Sequence, residues 1–331
     1  MLSAIILAAG KSTRMKSALP KPLREICGRP MLAYILDAAF DAGVEKAFVV
    51  VGYGKEAVID RFGGDERIEF VEQAEQLGTG HAAKVCVPGI EAVGLAGQDV
   101  LVLAGDVPLI RPAVLRQLIE AHRVQGADAS MATAELADPF GYGRVIRDEA
   151  GAFVEIVEQA DATPEQQQVR EVFPSLYCVK ADKLIELLGR LENKNAKKEY
   201  YLTDIYGLCR AGGGKVVAEK CVRGDDIIAP NTRVQLAEAD AVMQARIVAS
   251  LLESGVSVVA PHLTYVESGA EIGAETRVLP FTYIGRGARI GGGCTIGPFA
   301  YVARDSVVKE GSVVAGNADT AGLASIGEAM A

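Results

Sequence analysis

Aliphatic residues recur at every sixth position near the end of the chain, and this period constrains the fold more than any other feature of the sequence. The nine positions of the series are Val266, Ile272, Val278, Ile284, Ile290, Ile296, Val302, Val308 and Val314. A small residue stands two positions before each of them, from Thr264 to Ser312. A strict six-residue period is typical of a parallel β-helix, in which each hexad forms one flat side with its aliphatic residue inside. We therefore predict a short left-handed parallel β-helix of about three coils, which should associate with further copies because it buries little surface alone.

The longer part of the chain before this series alternates apolar and amphipathic segments. Residues 4–7, 46–51, 68–71 and 100–103 predict strands, and residues 31–42 and 55–62 predict helices. Such alternation predicts an α/β fold with a doubly wound, mostly parallel, Rossmann-like sheet. In such sheets ligands bind at the carboxyl ends of the strands.

The change of pattern also predicts the domain boundaries. Residues 1–235 should form the α/β domain, 236–255 a linker helix, 256–316 the β-helix and 317–331 a flexible tail.

Charge and cysteine usage argue against several classes of protein. The formal net charge of −9 disfavours a general nucleic-acid surface, which would be basic. Six cysteines occur without a C-x-x-C pair, as expected for reduced thiols in the cytosol. The first residues enter a strand at once and no apolar run is long enough to span a membrane, so we expect no signal peptide, no membrane association and a cytoplasmic location.

A glycine and three cations follow the first apolar run. Gly10 lacks a Cβ, so backbone N–H groups there can approach an anion, and Lys11, Arg14 and Lys21 add positive charge nearby. This composition suits a nucleoside triphosphate, although an ordinary β–α turn with solvated lysines explains it as well.

The same stretch resembles a known family. Residues 7–15 (LAAGKSTRM) followed by 19–23 (LPKPL) resemble the signature of sugar-1-phosphate nucleotidyltransferases. The similarity is closest to the uridylyltransferase half of bifunctional N-acetylglucosamine-1-phosphate uridylyltransferase/glucosamine-1-phosphate acetyltransferases. The resemblance implies that Leu7, Ala8, Ala9 and Gly10 bind the nucleotide. It also implies that Arg14 and Lys21 are catalytic and offset charge on the phosphates.

A second segment carries the resemblance further. In residues 73–82 two glycines bracket Thr79 before a predicted helix, and the amide of Gln73 could pair with a donor and an acceptor on a base edge. If the segment stood alone, a capped loop would be the preferred interpretation. The segment is similar to the uracil-reading segment of the family, which implies base contacts from Gln73, Gly78 and Thr79, and UTP as the donor.

Two residues are candidates for a magnesium site. Asp106 follows a buried strand, where a carboxylate suits Mg²⁺, although it could instead cap a helix. The resemblance implies that Asp106 holds the metal, beside the nucleotide-binding Ala104 and Gly105, and that Asn231 supplies the second contact. Asn231 is also a plausible cap of the following helix, and the two roles compete for one side-chain oxygen.

The sugar side of the site is less well specified. Residues 153–158 alternate apolar and acidic residues, which predicts a half-buried strand with Glu155 and Glu158 on one face. The resemblance implies that Gly141, through its backbone, and Glu158, through its carboxylate, contact sugar hydroxyls; a solvated strand end is the alternative for Glu158. Where the family has Asn-Thr-Gly, this chain has residues 173–175 (FPS), so the identity of the sugar stays open.

Together these patterns predict a Mg²⁺-dependent transfer from UTP to a sugar-1-phosphate, with N-acetylglucosamine-1-phosphate as the first choice, and a homotrimer joined through the β-helix as in the family. Transfer to another sugar, thymidylyl transfer and a non-catalytic nucleotide-sugar-binding scaffold are the alternatives. A glycosyltransferase would require an Asp-x-Asp motif that the segment around Asp106 lacks. Full-length family members carry an acetyltransferase histidine, and none follows His262, so we expect no acetyl transfer.

Overall fold

The computed structural model describes residues 1–11, 13–94, 97–195 and 197–316, so the predicted tail at 317–331 lies outside the described residues. The chain divides into two units. The first unit comprises Met1–Arg24 and Met31–Thr232, and the second comprises Glu25–Pro30 and the residues from Arg233 onward.

The secondary structure of the described residues alternates strands and helices and then changes to short strands only. The strands are β1 (Leu2–Leu7), β2 (Glu25–Ile26), β3 (Arg29–Pro30), β4 (Lys46–Val51), β5 (Ile68–Glu72), β6 (Asp99–Ala104), β7 (Ala129–Glu135), β8 (Gly143–Arg147), β9 (Phe153–Val157), β10 (Glu171–Phe173), β11 (Leu176–Lys180), β12 (Val216–Val222), β13 (Ser257–Val258), β14 (Thr264–Val266), β15 (Glu271–Ile272), β16 (Arg277–Val278), β17 (Thr282–Ile284), β18 (Arg289–Ile290), β19 (Thr295–Ile296), β20 (Tyr301–Val302), β21 (Val307–Val308) and β22 (Val313–Val314). The helices are α1 (Met31–Asp41), α2 (Lys55–Phe62), α3 (Thr79–Lys84), α4 (Val87–Val93), α5 (Pro112–Val124), α6 (Pro164–Gln167), α7 (Ala181–Gly189), α8 (Asp204–Ala211) and α9 (Arg233–Glu253).

A ten-stranded sheet forms the centre of the first unit. Its order is β5-β4-β1-β6-β11-β7-β10-β8-β9, with β12 paired to β7. The predicted α/β sheet is confirmed, and it is mixed: β5, β4, β1 and β6 are parallel, whereas β11, β10, β8 and β9 pair antiparallel with their neighbours. A short connection such as residues 148–152 can join only antiparallel neighbours, because a parallel pair needs a crossover.

The parallel strands are buried on both faces. Ile5, Phe48 and Val102 pack into one apolar cluster, and the neighbouring residues Ile6 and Val49 pack into another on the opposite face. Because helices cover both faces of such a sheet, its strand ends are where a ligand can reach the backbone.

The second unit contains the predicted β-helix, which is confirmed. The strands of the six-residue series pair with one another in parallel at a spacing of eighteen residues, for example Ile272 with Ile290 and Val278 with Ile296, and they build three parallel sheets. Every aliphatic residue of the six-residue series is buried except Ile272, which is half-buried. One further strand, β13, precedes the series, and the 3-10 turn Pro261–Leu263 separates it from the first regular coil.

The hairpin formed by β2 and β3 belongs to the second unit. The backbone N–H of Cys27 donates to Asp240 Oδ1 in α9 at 2.8 Å, and the carbonyl of Cys27 accepts from Ser268 N at 2.8 Å. No helix among the described residues is both long and apolar enough to cross a membrane.

Candidate active site

A pocket of about 400 Å³ lies at the carboxyl ends of β1, β5 and β6. All nine residues predicted to bind the nucleotide line it: Leu7, Ala8, Ala9, Gly10, Gln73, Gly78, Thr79, Ala104 and Gly105. Lys21 and Asp106 also line it. The structure therefore brings together these predicted residues, which lie up to about 100 positions apart in the sequence, from Leu7 to Asp106.

Backbone hydrogen bonds fix the loop that follows β1. Ala8 N donates to Val50 O at 3.0 Å, and Gly105 N donates to Leu7 O at 2.9 Å. A Cβ on Gly105 would lie 2.7 Å from that same Leu7 oxygen, so the close approach of the two strand ends requires glycine. A Cβ on Gly10 would meet no described atom within 4 Å, so internal packing does not demand glycine at that position.

Gln73 is buried and already bonded through its amide nitrogen. Its Nε2 donates to Gly78 O at 3.1 Å and lies 3.1 Å from His81 Nδ1, which accepts from it. Both amide protons are thus used within the protein. Sequence reasoning missed Gln76, which also lines the pocket and donates from Nε2 to Ala9 O at 2.9 Å.

The glycine before α3 is packed against a distant segment. Gly78 has φ +110°, and a Cβ there would lie 2.6 Å from Tyr200 O. Thr79 Oγ1 accepts from Leu202 N at 3.1 Å. The same segment also contributes Glu199 to the pocket lining; residues 199–204 resemble a segment of the family, but Glu199 is not among the predicted site residues.

Lys21 forms hydrogen bonds with both candidate metal ligands, Asp106 and Asn231. The residue is 8% exposed, and its ammonium donates to Asp106 Oδ2 and, at 2.9 Å, to Asn231 Oδ1. The helix-cap interpretation of Asp106 is wrong, because α5 begins at Pro112 and does not start next to Asp106. Asn231 lies two residues before the first residue of α9, and its Oδ1 accepts from Lys21.

The other two cations of the loop lie elsewhere. Arg14, in the 3-10 turn Thr13–Met15, is exposed and is not among the described residues that line the pocket. Lys11 is exposed, and its Nζ lies 5.4 Å from the centre of the Tyr53 ring. Of the cations Lys11, Arg14 and Lys21, Lys21 is therefore the one that lines the pocket among the described residues.

A second, smaller pocket of about 140 Å³ adjoins the first. Both predicted sugar-binding residues, Gly141 and Glu158, line it. Three residues line both pockets: Ala104, Asp106 and Ser175. Asp106 therefore stands at the border between the two.

Glu158 is a partly buried acid of the smaller pocket. Burial raises the pKa of its carboxyl group, and Thr203 Oγ1 donates to it at 3.3 Å. The prediction that Glu155 and Glu158 share a face is wrong: Glu155 is exposed, because residues three apart on a strand point to opposite sides.

The backbone N–H of Gly141 is engaged within the protein. It donates to Gln159 Oε1 at 3.0 Å, and the same oxygen accepts from Arg144 Nη2 at 2.8 Å. A sugar contact through this N–H would have to replace the bond to Gln159.

The departure from the family pattern at residues 173–175 gives this pocket an apolar wall. Phe173 is buried, and its ring packs edge-on against Tyr177 with 4.7 Å between centroids. Ser175 has φ +60°, a conformation that favours glycine, which stands there in the family pattern.

No group of three or more His, Cys, Asp or Glu side chains among the described residues could hold a metal. Mg²⁺ commonly takes one or two protein oxygens together with substrate phosphates. Asp106 and Asn231, one carboxylate and one amide oxygen brought to a common cation, fit that requirement.

Comparisons with known proteins agree with this geometry. Residues 4–175, just over half of the chain, match the family of MobA-like NTP transferase domains. The chain is 46% identical over 279 residues to the bifunctional protein GlmU of Pelobacter propionicus, 43% identical over 279 residues to that of Geobacter metallireducens, and 44% identical over 281 residues to that of Trichlorobacter lovleyi. These matches cover 84% of this chain, which spans 58–60% of the length of these relatives. They confirm the resemblance predicted from the motifs.

Proposed function

The chain belongs to the MobA-like NTP transferase family, and from this premise we propose that it transfers a uridylyl group from UTP to a sugar-1-phosphate, with N-acetylglucosamine-1-phosphate as the preferred acceptor. The observation that carries the proposal is the border between the two pockets. Asp106 lines both, and the Lys21 ammonium bonds to it. Two adjoining pockets that meet at the Lys21–Asp106 pair suit a reaction that joins a phosphate of a nucleotide to the phosphate of a sugar.

In the proposed reaction, a phosphate oxygen of the sugar-1-phosphate attacks the α-phosphorus of UTP. The bond from that phosphorus to the oxygen bridging to the β-phosphate breaks, and pyrophosphate leaves with the electron pair. The protein contributes positioning and charge rather than covalent chemistry. Lys21 would donate to the phosphates from within the pocket, and Arg14 would add its charge from the exposed turn beside it.

The bonding of Gln73 supports a pyrimidine with a protonated N3. Because both amide protons of Gln73 are used, its Oε1 is left to accept from a base. Uracil and thymine present an N3–H donor, whereas cytosine and adenine do not. The free Oε1 therefore suits the N3–H of UTP or thymidine triphosphate, with Gly78 and Thr79 beside the base.

Asp106 and Asn231 would hold Mg²⁺; the Lys21 ammonium, which donates to an oxygen of each, supports this assignment. When bound, the metal neutralises charge on the phosphates of both substrates. The fold itself brings these two oxygens together, although residues 106 and 231 are 125 positions apart in the sequence.

The smaller pocket would take the sugar. The partly buried Glu158 carboxyl suits a hydroxyl donor, and the backbone around Gly141 completes the proposed contacts. The apolar ring of Phe173, where the family pattern has asparagine, favours a second candidate: the same transfer to a different sugar-1-phosphate.

The test is pyrophosphate release by the purified protein with Mg²⁺, UTP and a panel of sugar-1-phosphates. Release with N-acetylglucosamine-1-phosphate supports the proposal, and release with only another sugar supports the second candidate. Asp106→Asn should lose at least roughly a hundredfold in turnover while keeping the fold. Retained turnover by this variant would refute the role of Asp106, and nucleotide binding without release from any pair would favour a scaffold.

Other expectations stay predictions. We propose a homotrimer joined through the β-helix, which sedimentation equilibrium can test against the 34.8 kDa chain mass. The absence of acetyl transfer needs an assay with acetyl-coenzyme A, and the cytoplasmic location needs cell fractionation.

A further inference from the structure

Lys21 contacts the same two oxygens that the proposed function assigns to the metal. Its Nζ donates to Asp106 Oδ2 and to Asn231 Oδ1, the latter at 2.9 Å. The side chain is only 9% exposed, so the ammonium is held within the protein rather than solvated. The three residues come from separate segments of the first unit, which makes this a tertiary arrangement and not a local turn.

We propose that the Lys21 ammonium and a divalent cation compete for this position, so that the metal binds well only after Lys21 has moved. An ammonium is a compact cation that only donates, and both oxygens offer it the lone pairs that a metal would use. Mg²⁺ needs its oxygens at about 2.0–2.1 Å. A metal bound to both oxygens would therefore stand almost on top of Nζ, and two positive charges at that distance repel strongly in a partly buried site.

A triphosphate would relieve this competition. Lys21 lines the larger pocket together with Gly10 and Gly105, and its flexible four-carbon stem allows the ammonium to turn towards a phosphate. The phosphate would draw Lys21 away and leave Asp106 and Asn231 for the metal. Nucleotide and metal then raise each other's affinity, and this coupling is reciprocal by thermodynamic necessity.

The test is direct binding of Mn²⁺, used as a paramagnetic substitute for Mg²⁺, to the full chain without nucleotide or sugar. Electron paramagnetic resonance gives the concentration of free Mn²⁺. We expect Lys21→Met to bind Mn²⁺ roughly tenfold or more tightly than the wild type. Adding Asp106→Asn to Lys21→Met should abolish that gain.

Lys11→Met is the matched control. It removes the same charge from the same loop, but Lys11 is exposed and lies over Tyr53, so its loss should change the Mn²⁺ affinity by less than about twofold. Lys21→Gln provides a second variant without the charge, and circular dichroism checks that each variant folds.

Equal Mn²⁺ affinity in the wild type and both Lys21 variants would overturn the proposal, as would an equal gain in Lys11→Met. Undetectable binding by both folded Lys21 variants would also overturn it. The inference rests on the proposed metal site, but the assay contains neither substrate. A failure of nucleotidyl transfer would therefore leave the binding result standing, and the two proposals can fail separately.

Discussion

Replacing Arg304 by methionine tests an ion pair between a partly exposed arginine and a buried carboxylate in the second unit. The side chain of Glu267 is 3% exposed and accepts from Arg304 Nε at 2.6 Å, from Tyr283 Oη at 2.6 Å and from Arg286 N at 2.8 Å. Burial alone would raise the pKa of Glu267, but these donors outweigh it and lower the pKa to about 2. The carboxylate is therefore stabilised far more in the folded protein than in the unfolded chain.

The magnitude follows from that pKa. A carboxyl group with an ordinary pKa of 4.5 that falls to about 2 contributes about 3 kcal/mol to the free energy of unfolding at neutral pH. Because the side chain of Arg304 is 42% exposed, water screens part of the attraction, and Tyr283 remains as a donor. We therefore expect Arg304→Met to lose about 2 kcal/mol.

The sign of the pH dependence is set by the direction of the shift. A pKa that is lower in the folded state gives stability that is fully present above the unfolded pKa of 4.5 and is lost as the pH falls towards 2. The difference between wild type and Arg304→Met should thus be largest near pH ~7 and should shrink near pH ~3.

Urea unfolding followed by circular dichroism measures the loss, and Arg289→Met is the control. Arg289 Nε lies 3.8 Å from Glu271 Oε2, and both side chains are more than 70% exposed, so this pair should contribute nothing measurable. Equal losses in the two variants would refute the reasoning, and so would a loss in Arg304→Met that does not diminish in acid.

Three further predictions concern the nucleotide pocket, the sugar pocket and the solenoid. Gly78→Ala should weaken UTP binding roughly tenfold or more in calorimetry, because Gly78 has φ +110° and the new Cβ would lie 2.6 Å from a backbone oxygen, so the loop must move. Gly64→Ala is the control: its Cβ would meet no atom within 4 Å, and the variant should bind UTP normally. Burial raises the pKa of Glu158, so the KM for the sugar-1-phosphate should rise as the pH falls from neutral and the carboxylate gains its proton. Glu158→Gln should remove this contribution and leave the one that comes from the phosphate of the substrate, and an unchanged profile would contradict the assignment. Ile296→Ala, at a position with no exposure, should cost about 3 kcal/mol in urea unfolding, and Val313→Ala, 58% exposed, should cost under about 1 kcal/mol; similar losses would contradict the proposed packing.

The elements that the sequence predicts well are those specified by local pattern. The predictions for residues 46–51 and 55–62 match the structure to the residue, because an apolar run and an amphipathic period lie wholly within each segment. The six-residue series predicts the β-helix for the same reason. The predicted bounds 256–316 include β13, but the series does not identify that strand, since the turn Pro261–Leu263 breaks the period before the first regular coil.

The parts of the site that escaped prediction depend on tertiary contacts. Gln76 and Glu199 reach the pocket through loops whose paths no periodicity describes. Lys21 and Asn231 are 210 positions apart, and nothing in either segment indicates that one donates to the other. The antiparallel pairing of β8 to β11 was likewise not predicted, because strand character in a sequence does not specify the direction of pairing.

The strand β6 explains why the reaction and the choice of sugar are separable. It pairs in parallel with β1 on one side and antiparallel with β11 on the other, so the sheet changes direction at this strand. The loops after β1 and β5 line the larger pocket, whereas residues 141, 158 and 173–175, which flank the antiparallel strands β8 to β11, line the smaller one. Asp106 follows β6 and borders both. Substitutions in the antiparallel half, including the apolar residues at 173–174, can therefore alter which sugar is accepted while the nucleotide side and the charged groups at the border stay unchanged.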